Sequence, residues 1–236
     1  IVPIVSKKEE EVSSRIKVSN CDWVINLEME FLQIIKSEFA VSKHKLVNNL
    51  VDKKHSGLIL FSSGSTGVPK AMVHDLDNLV DSFQGKKTKK LKILVFLMFD
   101  HIGGLNTLLN TLAMGASVIL PENRNPKYIG GLIEKYKVNV LPSTPTFLNM
   151  LLMARVNDKY NLKSLKMITY GTETMPESVL LKLKETFPRT RLMQTFGTSE
   201  TGIAQTSSRS SNSLEMKLDD PNTEYKIVDN ELLLRS

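Results

Sequence analysis

Cysteine occurs once in 236 residues, as Cys21, so an internal disulfide and a multi-cysteine metal centre are both excluded. A lone cysteine reads as a small buried residue, and such sparse use fits a cytoplasmic setting. Aromatic residues make up only 6%, and none lies inside the densest basic run, GKKTKKLK at 85–92. Single-stranded nucleic acid would need stacking rings between the charges, so no nucleic-acid partner is expected. No apolar run reaches the roughly 18 residues that cross a bilayer, and the first residues lack the layout of a signal peptide. Internal repeats and long low-complexity tracts are also missing.

What is present is a mixed, slightly basic chain: 31 basic against 25 acidic residues, a formal charge of +6. That balance favours an anionic ligand only where the charges are gathered. The 85–92 run reads either as a solvated loop before a strand or as a patch for phosphate or an acidic partner. The start without methionine and the strand-like end NELLLRS read as cuts, with sequence expected on both sides.

Residues 1–57 are expected to be the remnant of an upstream subdomain or its connection. Within them WVINLE (23–28) suggests a strand, and Phe31, Ile34, Ile35 and Phe39 fall at helical spacing, which predicts a helix over 30–39. From 58 onward the pattern becomes regular. Strand candidates LILF, KILVFLMF, ASVIL, NVLPS, LKMITY and RLMQTF alternate with helix-length segments at 103–114, 126–136, 145–154 and 176–187. This alternation predicts an α/β fold of mainly parallel sheets flanked by helices over 58–236. In TMPESVLLKLKETF, Thr174 is expected to cap, Pro176 to sit in the first turn and Glu177 to close a capping box. Val179, Leu180, Leu183 and Phe187 form the apolar face. In FLNMLLMARV (147–156), Phe147, Met150, Leu151 and Met153 read first as core and second as an acyl-pocket wall.

The loops that follow these strands hold SSGSTG, DHIGG, STPT, GTE and GTSE, the edge at which open α/β sheets bind ligands. In the first, Ser62, Ser63, Ser65 and Thr66 supply hydroxyls, Gly64 and Gly67 permit sharp bends, and Lys70 adds a mobile positive charge. Consecutive inward amides beside a lysine make a nest for polyphosphate. A Walker P-loop is excluded, because Val68 and Pro69 separate Gly67 from the lysine and no Ser or Thr follows it.

SSGSTGVPKAMVH (62–74), FDHIGG (99–104), YGTE (170–173) and FGTSETG (196–202), in that order, closely resemble the diagnostic motifs of the adenylate-forming superfamily. That superfamily comprises acyl- and aryl-CoA synthetases, peptide-synthetase adenylation domains and luciferases. The resemblance covers about residues 58–235 and is most like an acyl-CoA synthetase. It implies a partial N-terminal domain of an enzyme that joins a carboxylic acid, fatty or aryl, to ATP as an acyl-adenylate plus pyrophosphate and then passes the acyl group to CoA. Loading of an acyl or peptidyl carrier protein is the alternative, oxidative luciferase chemistry a remoter one, and a noncatalytic nucleotide-binding module another.

By the same resemblance, Ser62, Ser63, Gly64, Ser65, Thr66, Gly67 and Lys70 would hold the β- and γ-phosphates. Phe196 would lie against the adenine, Gly197 beside it would belong to the cofactor-binding set, Ser199 would contact phosphate, and Glu200 would bind Mg²⁺. Gly171, Thr172 and Glu173 would line the nucleotide and acyl pockets, and His101 would meet the carboxylate, with Asp100 and Gly103 shaping its approach. Ala71, Thr172, Phe196 and Ser199 depart from the commonest residues of the motifs; phenylalanine keeps a stacking face and serine keeps a hydroxyl.

Read by themselves, several of these residues keep a second meaning: Glu200 as a solvated acid, Glu173 as a loop-fixing acid, Asp100 as a loop-structural one, His101 as a satisfied structural histidine. His74 is expected to fix the loop, and His44 and His55 to make local hydrogen bonds. The resemblance further implies a ribose-binding aspartate, a hinge and a C-terminal domain with another catalytic lysine, expected in sequence beyond these residues. Glu224, Lys226 and Asp229 read instead as surface positions of a hairpin.

Overall fold

The computed structural model describes residues 1–28, 31–39, 41–62, 69–211, 213–221, 223–229 and 231–235. These divide into two compact units, one of Ile1–Gln84 with Phe99–His101 and one of Gly85–Met98 with Ile102–Ser236. The boundary expected at 57 and 58 falls inside the first unit.

The first unit carries α1 (Glu9–Ser19), β1 (Trp23–Glu28), β2 (Phe31–Lys36), α2 (Lys45–Asp52), β3 (Gly57–Ser62), β4 (Lys70–Asp75) and α3 (Leu76–Asp81). The helix expected over 30–39 is a strand. Residues of β2 pair antiparallel with β1 in the register Ile25↔Ile34, and the adjacent β-branched Ile34 and Ile35 suit a pleated ribbon better than a helix turn. Polar side chains start α2 and α3: His44 Nδ1 accepts from Leu46 N–H at 3.3 Å, and Asp75 Oδ1 accepts from Asn78 N–H at 3.0 Å.

β3 and β4 form an antiparallel hairpin with Ser62 opposite Lys70. The Ser/Gly loop therefore connects two strands of a hairpin, rather than leaving a strand of the parallel sheet as the sequence suggested. Ser63, Gly64, Ser65, Thr66 and Gly67 lie outside the described residues.

The second unit holds β5 (Lys92–Leu94), α4 (Ile102–Ala113), β6 (Ser117–Ile119), α5 (Pro126–Tyr136), β7 (Val140–Ser143), α6 (Pro145–Met153), α7 (Val156–Lys159), β8 (Met167–Tyr170), α8 (Glu177–Thr186) and β9 (Arg191–Gln194). Its five strands are all parallel in the order β6-β5-β7-β8-β9, as the alternation of strands and helices predicts. Three short hairpins follow: β10 (Phe196–Thr198) with β11 (Gly202–Ala204), β12 (Thr206–Ser208) with β13 (Met216–Leu218), and β14 (Glu224–Val228) with β15 (Glu231–Arg235).

The core lies between the sheet and its helices. Leu94, Leu141 and Ile168 from the strands, and Ile129, Ile133, Leu148 and Leu183 from the helices, are all 0% exposed. Short β-rich runs between capped helices explain the arrangement. Asn125 and Thr144 cap α5 and α6 from one residue ahead of Pro126 and Pro145, whose missing N–H groups cost nothing at that position.

Two local expectations change. α8 starts at Glu177 with Pro176 as its N-cap and no side-chain cap, so Thr174 does not cap it; the preceding loop is instead pinned by buried Met175. Its apolar face is as read, with Leu180, Leu183 and Phe187 buried and Val179 packed beside them. On α6, Phe147, Leu148 and Leu151 enter the core while Met150 and Met153 are exposed.

Candidate active site

In the first unit, Lys70 sits exposed at the first position of β4, opposite the half-buried Ser62, so the hairpin holds the ends of the Ser/Gly loop side by side. The base of the hairpin is fixed by His55 Nδ1, 2.7 Å from Asp75 Oδ2. The N–H of Asn78, followed by His55, holds the Asp75 carboxyl below the usual carboxylate range.

Asp100 is buried, at 5% exposure, and its Oδ2 accepts from Arg15 Nη1 at 2.9 Å. His101 beside it is open to solvent, with Nε2 3.7 Å from Asp100 Oδ1. Asp100 thus has a defined structural partner in Arg15. No spacing signal links residues so far apart in sequence.

In the second unit the carboxyl ends of β8 and β9 are drawn together. Tyr170 O accepts from Thr195 N–H at 2.8 Å and from its hydroxyl at 3.2 Å. Gly171 follows directly, so close that a Cβ there would stand 2.5 Å from Thr195 Oγ1 and 2.7 Å from its carbonyl oxygen. Thr172 takes φ +70°, a left-handed conformation costly for a β-branched residue. Glu173 Oε2 then accepts from the N–H of Thr146 at 3.1 Å and from its hydroxyl at 2.5 Å, tying the loop to the first turn of α6. Thr146 is a partner that the motifs did not disclose.

Phe196, half-buried, and Gly197 lie in β10. Ser199 and Glu200 occupy the connection to β11, which is braced by Thr201 N–H donating to Thr198 Oγ1 at 3.0 Å. Among the described residues Glu200 is exposed and makes no hydrogen bond or ion pair, and Ser199 makes none either. α4 packs against this hairpin, which brings the helix that opens with Ile102 and Gly103 beside the FGTSE segment. Gly104 makes that helix start possible: a Cβ on it would stand 2.0 Å from Met98 O.

No group of three His, Cys, Asp or Glu side chains gathers among the described residues. One free carboxylate on a hairpin tip is nevertheless a suitable donor for Mg²⁺, which commonly takes one or two carboxylates and fills its remaining positions with phosphate and water. No helix among the described residues is long and apolar enough to cross a membrane.

The AMP-binding enzyme family matches residues 3–234. The chain belongs to that family, whose members form adenylates. It is 34% identical over 158 residues to the D-alanine–D-alanyl carrier protein ligase of Bacillus licheniformis, covering 63% of this chain and 31% of that protein. It is 30% identical over 152 residues to 4-coumarate-CoA ligase 1 of Narcissus pseudonarcissus, covering 60% and 28%. A variant of Escherichia coli MenE with bound OSB-AMS shares the fold at a TM-score of 0.65 and 19% identity, covering 100% of this chain and 52% of MenE. The chain thus spans about a third of the length of the curated relatives it matches. The α/β fold with its parallel sheet is shared with that MenE structure.

Proposed function

We propose that the full-length protein activates a carboxylic acid, fatty or aryl, with ATP and transfers the acyl group to CoA. The substrate carboxylate attacks the α-phosphorus, the bond to pyrophosphate breaks, and the CoA thiolate then displaces AMP from the acyl-adenylate carbonyl. Carboxylates are already nucleophiles at neutral pH, so the protein's task is to align the reactants and offset repulsion between anions. Lys70 and the loop of residues 62–67 hold the β- and γ-phosphates. Phe196 receives the adenine with Gly197 in the same nucleotide-binding segment, Ser199 contacts phosphate, and Gly171, Thr172 and Glu173 line the nucleotide and acyl pockets. His101 donates to the entering carboxylate. Glu200 would hold Mg²⁺, which offsets charge on the phosphates and the departing pyrophosphate.

The observation that carries this reading is Glu200, an acid exposed and unpartnered among the described residues, on the tip of the β10–β11 hairpin in a chain matched by its family from residue 3 to 234. The test is acid-dependent ATP–pyrophosphate exchange by the full-length protein. Lys70→Ala and Glu200→Ala are each expected to lower it by about 100-fold, the scale of losing a preorganised charge contact; unchanged exchange in either variant removes that residue's role. Absence of exchange in the wild type with a broad panel of acids favours a noncatalytic nucleotide-binding module.

A second reading, loading of an acyl or peptidyl carrier protein, is favoured by the 34% identity to a carrier protein ligase. Both acceptors present a thiol. Mass identification of the thioester formed with CoA, or with a phosphopantetheine-bearing carrier, separates them.

A further inference from the structure

Arg15, on α1, reaches two segments that carry proposed site residues. Its Nη1 donates to Asp100 Oδ2 at 2.9 Å, and its guanidinium lies 5.6 Å from the centre of the Phe61 ring. Phe61 is 4% exposed and immediately precedes Ser62, where the Ser/Gly loop leaves β3. Asp100 is 5% exposed and immediately precedes His101. A carboxylate buried that deeply needs a charged partner, and the guanidinium provides one while lying over the Phe61 ring at cation–π distance.

The arrangement leaves one acceptor over. Asp100 Oδ1 is buried and has no hydrogen-bond partner, and it stands 3.7 Å from His101 Nε2, beyond hydrogen-bond length. The His101 side chain is 60% exposed. A hydrogen bond from Nε2–H to Oδ1 would fix the orientation of the ring, and with a proton on each nitrogen Nδ1–H is left to donate to the entering carboxylate.

We propose that Arg15 is a positioning residue. It anchors the Asp100 carboxylate so that Oδ1 is presented to His101, and it locks this segment to the loop end of the β3–β4 hairpin through Phe61. The role in acid activation rests on the placement of His101 at the entering carboxylate. It assigns to residues 1–57 a part in the chemistry, as the source of the cation that orders a site segment.

The test uses the full-length protein with Arg15→Met, Asp100→Asn, the double variant, and Arg15→Lys. The double variant removes both charges and so avoids leaving one buried and unpaired. Amide exchange over Phe99–His101, read without substrates, is expected to quicken about tenfold in the double variant while α1 stays protected. In pyrophosphate exchange the KM for the acid is expected to rise about tenfold with the KM for ATP within about twofold, the pattern of a misaligned acid. The double variant should be no worse than the poorer single one, since the pair acts as a unit, and Arg15→Lys should recover part of the loss. Unchanged amide exchange, or equal rises in both KM values, overturns the proposal. A wild-type protein without acid-dependent exchange overturns the adenylation reading, while amide exchange on the same samples still decides whether Arg15 holds Phe99–His101.

Discussion

Ile168 on β8 and Ile25 on β1 are both isoleucines in regular strands, yet the first is 0% exposed and the second 59%. β8 has a parallel neighbour on each side, β7 and β9, and its sheet is covered by helices. Among the described residues β1 has one strand partner, and the cross-strand pair Ile25↔Ile34 is open on both members. Strand formation and burial are therefore separate achievements in this chain. In the second unit burial enforces the strands; in the β1–β2 ribbon, pairing and β-branched residues alone suffice.

The sharpest way to break that contrast is substitution of the two isoleucines. Ile168→Ala is expected to cost about 4 kcal/mol, the transfer loss plus the cavity left in a close-packed core. Ile25→Thr keeps a β-branched side chain at an exposed site and is expected to change stability by no more than about 0.5 kcal/mol. Urea unfolding midpoints of the two variants measure the difference. Equal costs would mean that the open ribbon is covered in solution.

Glycines make a second, smaller contrast, this time inside one motif. Gly104→Ala sets a Cβ 2.0 Å from Met98 O, which is main chain and has little room to yield, so about 3 kcal/mol is expected to be lost. At Gly103 the nearest atom is Leu97 Cδ1 at 3.4 Å, and alanine there, a better helix former, is expected to be neutral or mildly stabilising. The motif resemblance singles out Gly103, whereas the steric demand falls on its neighbour. Thermal unfolding of both variants decides between them.

The same contrast governs what the sequence discloses. In the second unit, Asn125-Pro126 and Thr144-Pro145 announce helix starts, and the runs ending at Ser143, Tyr170 and Gln194 are strands because apolar residues are forced inward there. Where side chains stay exposed, periodicity carries no such constraint. Ile34, Ile35 and Phe39 fit a helix by spacing, yet the isoleucines belong to a strand and Phe39 to the turn after it. Met150 and Met153 look like core and face out. The proposed site residues are readable as motifs, but their supports are not: Arg15 for Asp100, Thr146 for Glu173 and Thr195 for Gly171 meet across long sequence separations that no local pattern encodes.

Strain at Thr172 provides a third, still smaller test, in the unit where burial otherwise dominates. With φ +70° the side chain crowds its own backbone, and Thr172→Gly is expected to gain about 1 kcal/mol, limited by the extra freedom glycine gives the unfolded chain. A fall in stability would show that the threonine side chain makes contacts worth more than the strain. If the strain serves the proposed pocket, the more stable variant loses activity in pyrophosphate exchange.

The smallest effect returns to the first unit and to polar rather than apolar support. The Asp75 carboxyl is held below its usual range, first by the Asn78 N–H and next by His55, and so binds its proton more weakly folded than unfolded. The stabilisation it provides is complete above the ordinary carboxylate value of about 4 and is lost as pH falls through the lowered folded value. Asp75→Asn removes the charge, so its destabilisation relative to wild type should be present at neutral pH and shrink as the wild type is acidified. Urea midpoints across that range, with amide exchange of α3 as a local readout, measure it. A deficit that does not shrink with acid would assign Asp75 a role in shape alone, and the β3–β4 hairpin would owe nothing to its charge.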